Sequence, residues 1–380
     1  MATANQLRNV GLREAWIAGT EANVDAYLRR QIAAINRSLN AGSVRGYKKR
    51  ELNKTLKTLE KEFRENFQRF TVEAGASAQK LALLDVETEA ALVSEASGIA
   101  SKVPSEKRIA AATSAIVFTD FAKGSTLTSE QLLRMLDESG AAAVGAMIRA
   151  GYTEGLSNDE IAKAIVGTRV TPKGKTPYYA GGLISGAHKR DVMATVRTIT
   201  QAMSNEARRE VWKENSDVIE KLEFVATLDN RTTIICASYD GTQWHLNDAN
   251  APQPPLHWNC RSALVPVVSG AGKDPLDYRV AKTGKKGVDE EKIASDRTGA
   301  KKRRTERAEV PAGTSFDDFL RGNYKGGQPQ PNWYLEDLFG KERAALYSSN
   351  SKLSVRNLLK SNNQQFSIEE LRHKYGRAVK

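Results

Sequence analysis

Apolar residues recur every three or four positions through much of the first hundred residues, which is the period of an α-helix. Between residues 52 and 70 they form one stripe along a helix whose opposite face is charged. This stripe consists of Leu52, Leu56, Leu59, Phe63, Phe67 and Phe70. A weaker stripe runs from residue 21 to residue 40. The pattern predicts long amphipathic helices, and it leaves open whether they pack against each other or on a partner subunit.

Later helices are marked by a hydroxyl residue that is followed three positions on by Glu or Gln. Thr128, Ser157 and Ser367 stand in this arrangement, in which two side chains satisfy free N–H groups at a helix start. The predicted helices span residues 130–150, 159–166, 189–215 and 368–375. The segment 168–187 is rich in Gly and Pro, and it is predicted to be a long loop.

Two β-rich segments lie past the middle of the chain. Residues 222–228 alternate in polarity and predict a strand, and residues 262–268 predict a second one. Because Pro266 has no N–H donor, it confines the second strand to a sheet edge or a strand end. From residue 271 to residue 314 the chain is mostly polar, with several Gly and a run of Lys and Arg, which predicts a linker or a flexible basic arm.

These patterns predict a mainly α protein with a small α+β domain, which we call the knuckle. At about 100–200 residues per domain, a chain of 380 residues suits two or three units. The predicted regions are an N-terminal helical region (1–125), a second helical region (126–215), the knuckle (216–270), the polar and basic linker or arm (271–314) and a C-terminal helical segment (315–380).

Composition and charge narrow the function classes. The chain has 57 Lys and Arg against 45 Asp and Glu, a formal net charge of +12. This excess favours phosphate-rich or acidic partners, although no module for specific DNA recognition stands beside it. The two cysteines argue against a secreted disulfide scaffold, and neither an apolar run of about 18 residues nor a secretory signal is evident. We therefore expect a protein of the reducing cytoplasm, or of an assembly built there, without a membrane-spanning segment.

The knuckle holds the most informative residues of the chain. Its turn and charge positions are Asp229, Arg231, Thr232, Asp240, Gly241, Pro254, Pro255 and Arg261. An aspartate directly after a strand is expected to cap the following turn, and Asp-Gly predicts a tight turn. The two arginines are forked donors that can hold either aspartate in a bidentate pair. The two prolines predict a stiff, extended approach to His257.

Three soft ligands in the knuckle, Cys236, His257 and Cys260, suit zinc by residue type and spacing. A structural zinc site normally has four ligands. The candidates for the fourth ligand are Asp229, His245 and Asp240. The alternative is a pair of small buried cysteines beside a histidine that is bonded to the backbone. A disulfide between the cysteines is disfavoured by a reducing compartment, and no cofactor is expected, with zinc left open.

The order of residues across the knuckle carries a resemblance to a known family. The residues concerned are Thr227, Asp229, Arg231, Thr232, Cys236, Asp240, Gly241, Pro254, Pro255, His257, Asn259, Cys260 and Arg261. In this order they resemble the signature of the phage Mu F-like head morphogenesis family, the minor head proteins of tailed phages. The likeness covers about residues 128–375, apart from an insertion at 270–312, and makes 126–215 the helical part of a head-morphogenesis domain. Thr233 and Ser262 stand where the family has cysteines, which weakens a four-cysteine metal site.

The resemblance implies a minor structural virion protein at the portal vertex or in the capsid interior, and in the host cytoplasm during assembly. It implies a role in head morphogenesis or genome delivery, with the portal, major capsid or scaffold protein as partner. A basic run consists of Lys301, Lys302, Arg303 and Arg304. This run either contacts packaged DNA through its phosphates or belongs to a solvated linker.

No enzyme is expected, because the common hydrolase and phosphate-loop motifs are absent from the sequence. The alternative is a metal-dependent hydrolase or nuclease that uses Cys236, His257 and Cys260. A lipid-binding ejection protein is disfavoured, since the apolar stripes lack the Trp and flanking Lys of membrane-surface helices.

Overall fold

The computed structural model describes residues 21–40, 49–114, 116–120, 125–171, 178–269, 278–284 and 305–375. Its α-helices are α1 (Glu21–Asn40), α2 (Lys49–Ser97), α3 (Glu106–Ser114), α4 (Ser129–Glu154), α5 (Asn158–Val166), α6 (Lys189–Glu214), α7 (Ile234–Tyr239), α8 (Phe316–Arg321), α9 (Asn332–Phe339), α10 (Lys341–Ser349) and α11 (Ile368–Tyr375). Its strands are β1 (Val117–Asp120), β2 (Ser125–Thr128), β3 (Gly167–Val170), β4 (Tyr178–Gly181), β5 (Ile219–Val225), β6 (Gln243–His245), β7 (Ala263–Val268), β8 (Tyr278–Gly284) and β9 (Thr305–Pro311). A π-helix (Ile184–His188) precedes α6, and a 3-10 helix (Val355–Leu358) follows α10. The prediction of a mainly α protein with a small α+β region is confirmed.

The amphipathic stripes of the first two helices face the interior of the chain. All six apolar stripe residues of α2 are buried. They share one core with Tyr27 and Ile35 of α1 and with apolar side chains of α4, α5 and α6. Tyr27 stacks on Phe70, with the ring centroids 4.7 Å apart. The stripe of residues 52–70 therefore packs within the chain, which decides between the two alternatives that the sequence leaves open.

Helix α2 is 49 residues long, and its C-terminal half packs on α3 and α6. Its buried Glu89 accepts hydrogen bonds from Arg208 Nε at 2.7 Å and from Trp212 Nε1 at 2.7 Å, both on α6. A buried charge is tolerated when it is paired and hydrogen-bonded in this way. Among the described residues, no helix is both long and apolar enough to cross a membrane.

The three predicted helix starts are confirmed. Thr128 and Ser157 cap α4 and α5, and in both cases the residue three positions on returns a hydrogen bond to the capping backbone. At α11, Ser367 Oγ accepts from the Glu370 N–H at 3.1 Å, and the Ser367 N–H donates to Glu370 Oε2 at 2.7 Å. These caps satisfy free N–H groups that the helix itself cannot pair.

The prediction of a long loop at 168–187 is wrong for the residues of that segment that the structure describes. Strands β3 and β4 pair antiparallel, with Gly167 opposite Gly181, and the π-helix leads directly into α6. Glycine is required here by a close approach of backbones, since a Cβ on Gly182 would lie 2.2 Å from the Gly167 nitrogen. Residues 172–177 lie outside the described part.

The sheet of the knuckle has the strand order β6–β5–β7, with antiparallel pairing throughout. Both strands predicted in this region are present. Pro266 lies opposite Leu222 on β7, at an edge of the sheet, as its missing N–H donor predicts. Leu222 and Phe224 of β5 point into the main core of this half of the molecule.

Strands β8 and β9 lie in the stretch that the sequence assigns to a linker or arm, and they are not predicted. They pair antiparallel over their whole length, from Tyr278 opposite Pro311 to Gly284 opposite Thr305. Ala281 forms a bridge to Leu228 and joins the core that β5, β7 and helices α8 to α10 share. The basic run Lys301 to Arg304 lies outside the described residues.

Candidate functional site

Asp229, which follows β5, is the most thoroughly bonded of the predicted knuckle residues. It is fully buried, and Arg261 forms a bidentate pair with it, at 2.5 Å from Nη1 to Oδ2 and 2.7 Å from Nη2 to Oδ1. Its Oδ1 also accepts from the Arg231 N–H at 3.0 Å and from Thr232 Oγ1 at 3.2 Å. Burial alone would raise the pKa of Asp229, but the hydrogen bonds and charge of Arg261 outweigh it and hold the pKa below its usual range.

Arg231 does not act as the second clamp that its residue type suggests. Its Nε lies 4.0 Å from Asp229 Oδ2, and its side chain is 68% exposed. An ion pair of this length and exposure contributes little to stability. Of the two arginines predicted to hold an aspartate, Arg261 therefore does so and Arg231 only borders the pair.

Asp240 is held by an arginine that sequence reasoning misses. Arg279 of β8 places Nη1 3.0 Å from Asp240 Oδ2 and Nη2 2.9 Å from Oδ1, and it also donates to the Thr314 carbonyl. Asp240 Oδ1 accepts in addition from the Ala226 N–H at 2.8 Å. Gly241 follows with a φ of 74°, which suits the predicted tight turn. The sequence does not indicate this pair, because Arg279 lies in the stretch that is predicted to be a linker without core contacts.

The structure brings Cys236, His257 and Cys260 together, and we call these three residues the Cys–His cluster. Cys236 Sγ lies 3.2 Å from His257 Nε2 and 3.6 Å from Cys260 Sγ. Both cysteines are buried free thiols, so the disulfide that the sequence disfavours is not formed. Burial raises the pKa of the Cys236 thiol. Burial also acts to raise the pKa of Cys260, but hydrogen bonds from Cys236 and His257 outweigh it and lower that pKa.

The residues suggested as fourth ligand do not join this cluster. Among the described residues, the group of ligand atoms within 4.8 Å of one another contains only the three members named above. Asp229 and Asp240 are each engaged by an arginine, at the distances given above. His245 lies on β6, exposed, in register with Lys221.

A polar face of α6 fixes the loop that carries His257 and Cys260. Asn205 donates to the Pro254 carbonyl at 2.8 Å, and Gln201 donates to the Ser262 carbonyl at 3.0 Å. Thr198 Oγ1 accepts from the Asn259 N–H at 3.1 Å. Three side chains at three- and four-residue spacing thus hold both ends and the middle of one loop. These polar residues interrupt the apolar pattern of α6, and this interruption is the sequence feature that could have indicated their contacts with the loop.

A cleft of about 540 Å³ opens beside the cluster. Its cationic lining residues are Arg190, Arg197, Arg231 and Arg261. His257, Trp258 and Cys260 form another part of the wall, and no Asp or Glu is among the described lining residues. Such a surface attracts anions. It offers no carboxylate next to His257 to act as a general acid or base.

The central part of the chain is similar to a known protein family. A family model described as Phage Mu protein F like protein matches residues 142–265. The matched span runs from α4 through β7, so it contains α6, the Asp229–Arg261 pair and the Cys–His cluster. The predicted resemblance to this family is confirmed over the matched residues, and its extension over the rest of 128–375 stays a prediction. The match points to a phage head protein. No curated protein and no solved structure gives a match to the chain.

Proposed function

We propose that the protein is a minor structural virion protein of a tailed phage. It associates with the portal vertex or the capsid interior and acts in head morphogenesis or genome delivery. The observation that carries this proposal is the phage Mu F-like match over residues 142–265, together with the way the matched residues are used. Portal, major capsid or scaffold protein are the partners that fit this role.

The two motif aspartates, Asp229 and Asp240, support a structural role because each is bound by an arginine of the same chain. Asp229 and Asp240 have exposed side-chain fractions of 0% and 1%, and each is held by an arginine. Carboxylates in such pairs stabilise one arrangement of the chain and are closed to a substrate. The matched region is therefore best understood as a rigid unit for assembly.

Contact with packaged DNA is the second part of the proposal. The net charge of +12 and the run Lys301 to Arg304 provide cations that can neutralise phosphates without reading base sequence. The arginine-lined cleft beside the knuckle adds a further cationic surface among the described residues. These features suit a protein that works next to a densely packed genome.

The metal-dependent hydrolase or nuclease is the competing function, and the Cys–His cluster is the observation that favours it. It requires a general acid or base near the cluster, and the described lining of the cleft offers only His257. Metal-dependent turnover of a nucleic acid that disappears in H257N would establish this alternative. Equal background turnover in wild type and H257N supports the structural role.

The proposal is tested by removing the chain from the phage that encodes it and supplying variants in trans. Without the chain, we expect DNA replication and lysis to continue while the yield of infectious, DNA-filled particles collapses. Complementation with wild type or with E87A is expected to restore the yield, because Glu87 is exposed on α2 and lies outside the matched residues. Particles that form with normal yield, DNA content and infectivity in the absence of the chain would overturn the proposal.

A further inference from the structure

We propose that Cys236, His257 and Cys260 bind one Zn²⁺ ion, with a water molecule from the arginine-lined cleft as the fourth ligand. The ion would join the start of α7 to the loop that precedes β7, which are separated by more than twenty residues. The proposal concerns the stability of the knuckle, and it stands independently of the proposed role in the virion.

Two of the three distances among the ligand atoms lie within about 0.4 Å of those in a tetrahedral zinc site. With Zn–S of about 2.3 Å and Zn–N of about 2.0–2.1 Å, tetrahedral angles put two sulfurs about 3.8 Å apart and a sulfur about 3.6 Å from a nitrogen. The Sγ–Sγ distance is 3.6 Å and the distance from Cys236 Sγ to His257 Nε2 is 3.2 Å. All three atoms lie within 4.8 Å of one another, so one ion can contact them all after small movements.

The imidazole of His257 is oriented for metal binding by its other nitrogen. His257 Nδ1 lies 2.8 Å from the Trp258 carbonyl oxygen. Because a carbonyl oxygen only accepts, the proton belongs on Nδ1, and the lone pair of Nε2 then faces the two sulfurs. Zinc-bound histidines are held by a backbone or carboxylate acceptor in the same manner. Packing of two thiols as small apolar groups does not require this orientation.

The position of Cys236 is fixed by the cap of its helix. Thr233 caps α7 by accepting from the Cys236 N–H, which fixes where this cysteine stands.

The fourth position is assigned to solvent because none of the residues that the structure describes supplies a fourth ligand atom to the cluster. The carboxylates of Asp229 and Asp240 are committed to arginines, and none of the described residues that line the cleft is acidic. His257 and Cys260 both line that cleft, so the ion would be reached from it. Three protein ligands and one water are the arrangement of catalytic zinc sites, whereas structural sites usually have four protein ligands. The comparison of nucleic-acid turnover between wild type and H257N, given above, therefore also tests whether this ion is structural.

The test uses the full chain, purified under reducing conditions without a histidine tag or chelator. Elemental analysis is expected to find one zinc per chain. After exchange with Co²⁺, the spectrum is expected to show thiolate-to-metal charge transfer in the near ultraviolet and intense visible bands of a tetrahedral ion. C260S and H257N are expected to lose stoichiometric metal, whereas the matched control H245N keeps it, since His245 is exposed and outside the cluster.

Three results would overturn the proposal. One is a wild-type protein that lacks stoichiometric zinc and gives no thiolate charge transfer with added Co²⁺. Another is full metal retention in H257N, and the third is recovery of Cys236 and Cys260 as a disulfide in freshly purified protein. The Co²⁺ spectrum is recorded on the wild type, so the proposal remains falsifiable if a cysteine variant fails to fold.

Discussion

The sharpest prediction concerns the pair between Asp229 and Arg261. D229A removes an acceptor that serves two guanidinium nitrogens, one backbone N–H and one hydroxyl. Removing one partner of a fully buried ion pair typically costs about 3–5 kcal/mol. The Arg261 side chain is 21% exposed, so water can solvate its charge when the carboxylate is removed, and this reduces the loss of stability. We therefore expect D229A to reduce the free energy of unfolding by about 2–4 kcal/mol.

Urea denaturation of the purified chain measures this loss. At a typical slope of about 2 kcal/mol per molar urea, D229A moves the midpoint of the unfolding transition down by about 1–2 M. R261K keeps the charge but loses the fork, so it is expected to fall between wild type and D229A. R231A is the matched control and should leave the midpoint unchanged, because Arg231 is exposed and 4.0 Å from the carboxylate. Equal midpoints for D229A and R231A would refute the assignment of Asp229 to a buried stabilising pair.

Three further perturbations test other parts of the structure. E89A leaves Arg208 buried without its partner and should cost about 3–5 kcal/mol in urea denaturation, whereas E87A on the exposed face of α2 should cost nothing measurable. Burial lowers the pKa of His188 in the folded protein. As the pH falls below about 6.5, the unfolded chain therefore gains a proton on this residue before the folded protein does. The free energy of unfolding should then fall by up to about 1.4 kcal/mol per pH unit. H188Q should flatten this dependence between pH 7.5 and 5.5, and an unchanged slope would contradict it. Replacing Lys301 to Arg304 with Ala should reduce salt-sensitive retention on a DNA column, and unchanged retention at low salt would exclude this run from DNA contact.

Features that depend on near neighbours in the chain could be predicted from the sequence. The stripe from Leu52 to Phe70 and the caps at Thr128 and Ser157 are set by residues three or four positions apart. The placement of Pro266 on an edge strand follows from a single missing N–H. Each of these signals refers to one helix or one strand, so it does not require knowledge of how the elements pack.

Pairings between distant residues could not be predicted in the same way. Arg279 and Asp240 are 39 positions apart, and Arg208 and Glu89 are 119 apart. Which carboxylate an arginine reaches depends on how several elements pack, and the chain offers many other carboxylates. The strands β8 and β9 were missed for a related reason, since only a few of their residues face a core and their polarity resembles that of a linker.

The Cys–His cluster could be predicted from the sequence only in part. Residue type and the three-residue spacing of His257 and Cys260 predicted that they could act together, while the arrival of Cys236 depends on α7 folding back onto their loop. None of the three candidates for the fourth ligand, Asp229, His245 and Asp240, joins the cluster. The two aspartates are bound by arginines, and His245 lies outside the group of ligand atoms. Sequence spacing identified the ligands that lie near a turn, and only the structure revealed what the other acidic groups do.

If the chain is a component of a phage head, as we propose, it must be present in finished particles. Quantitative mass spectrometry of DNA-filled particles, purified on a density gradient from the phage proposed to encode it, measures this presence. We expect peptides of this chain in the particles, at a small and constant ratio to the major capsid protein. Particles that lack the chain while the lysate contains it in abundance would rule out the proposed role in the virion.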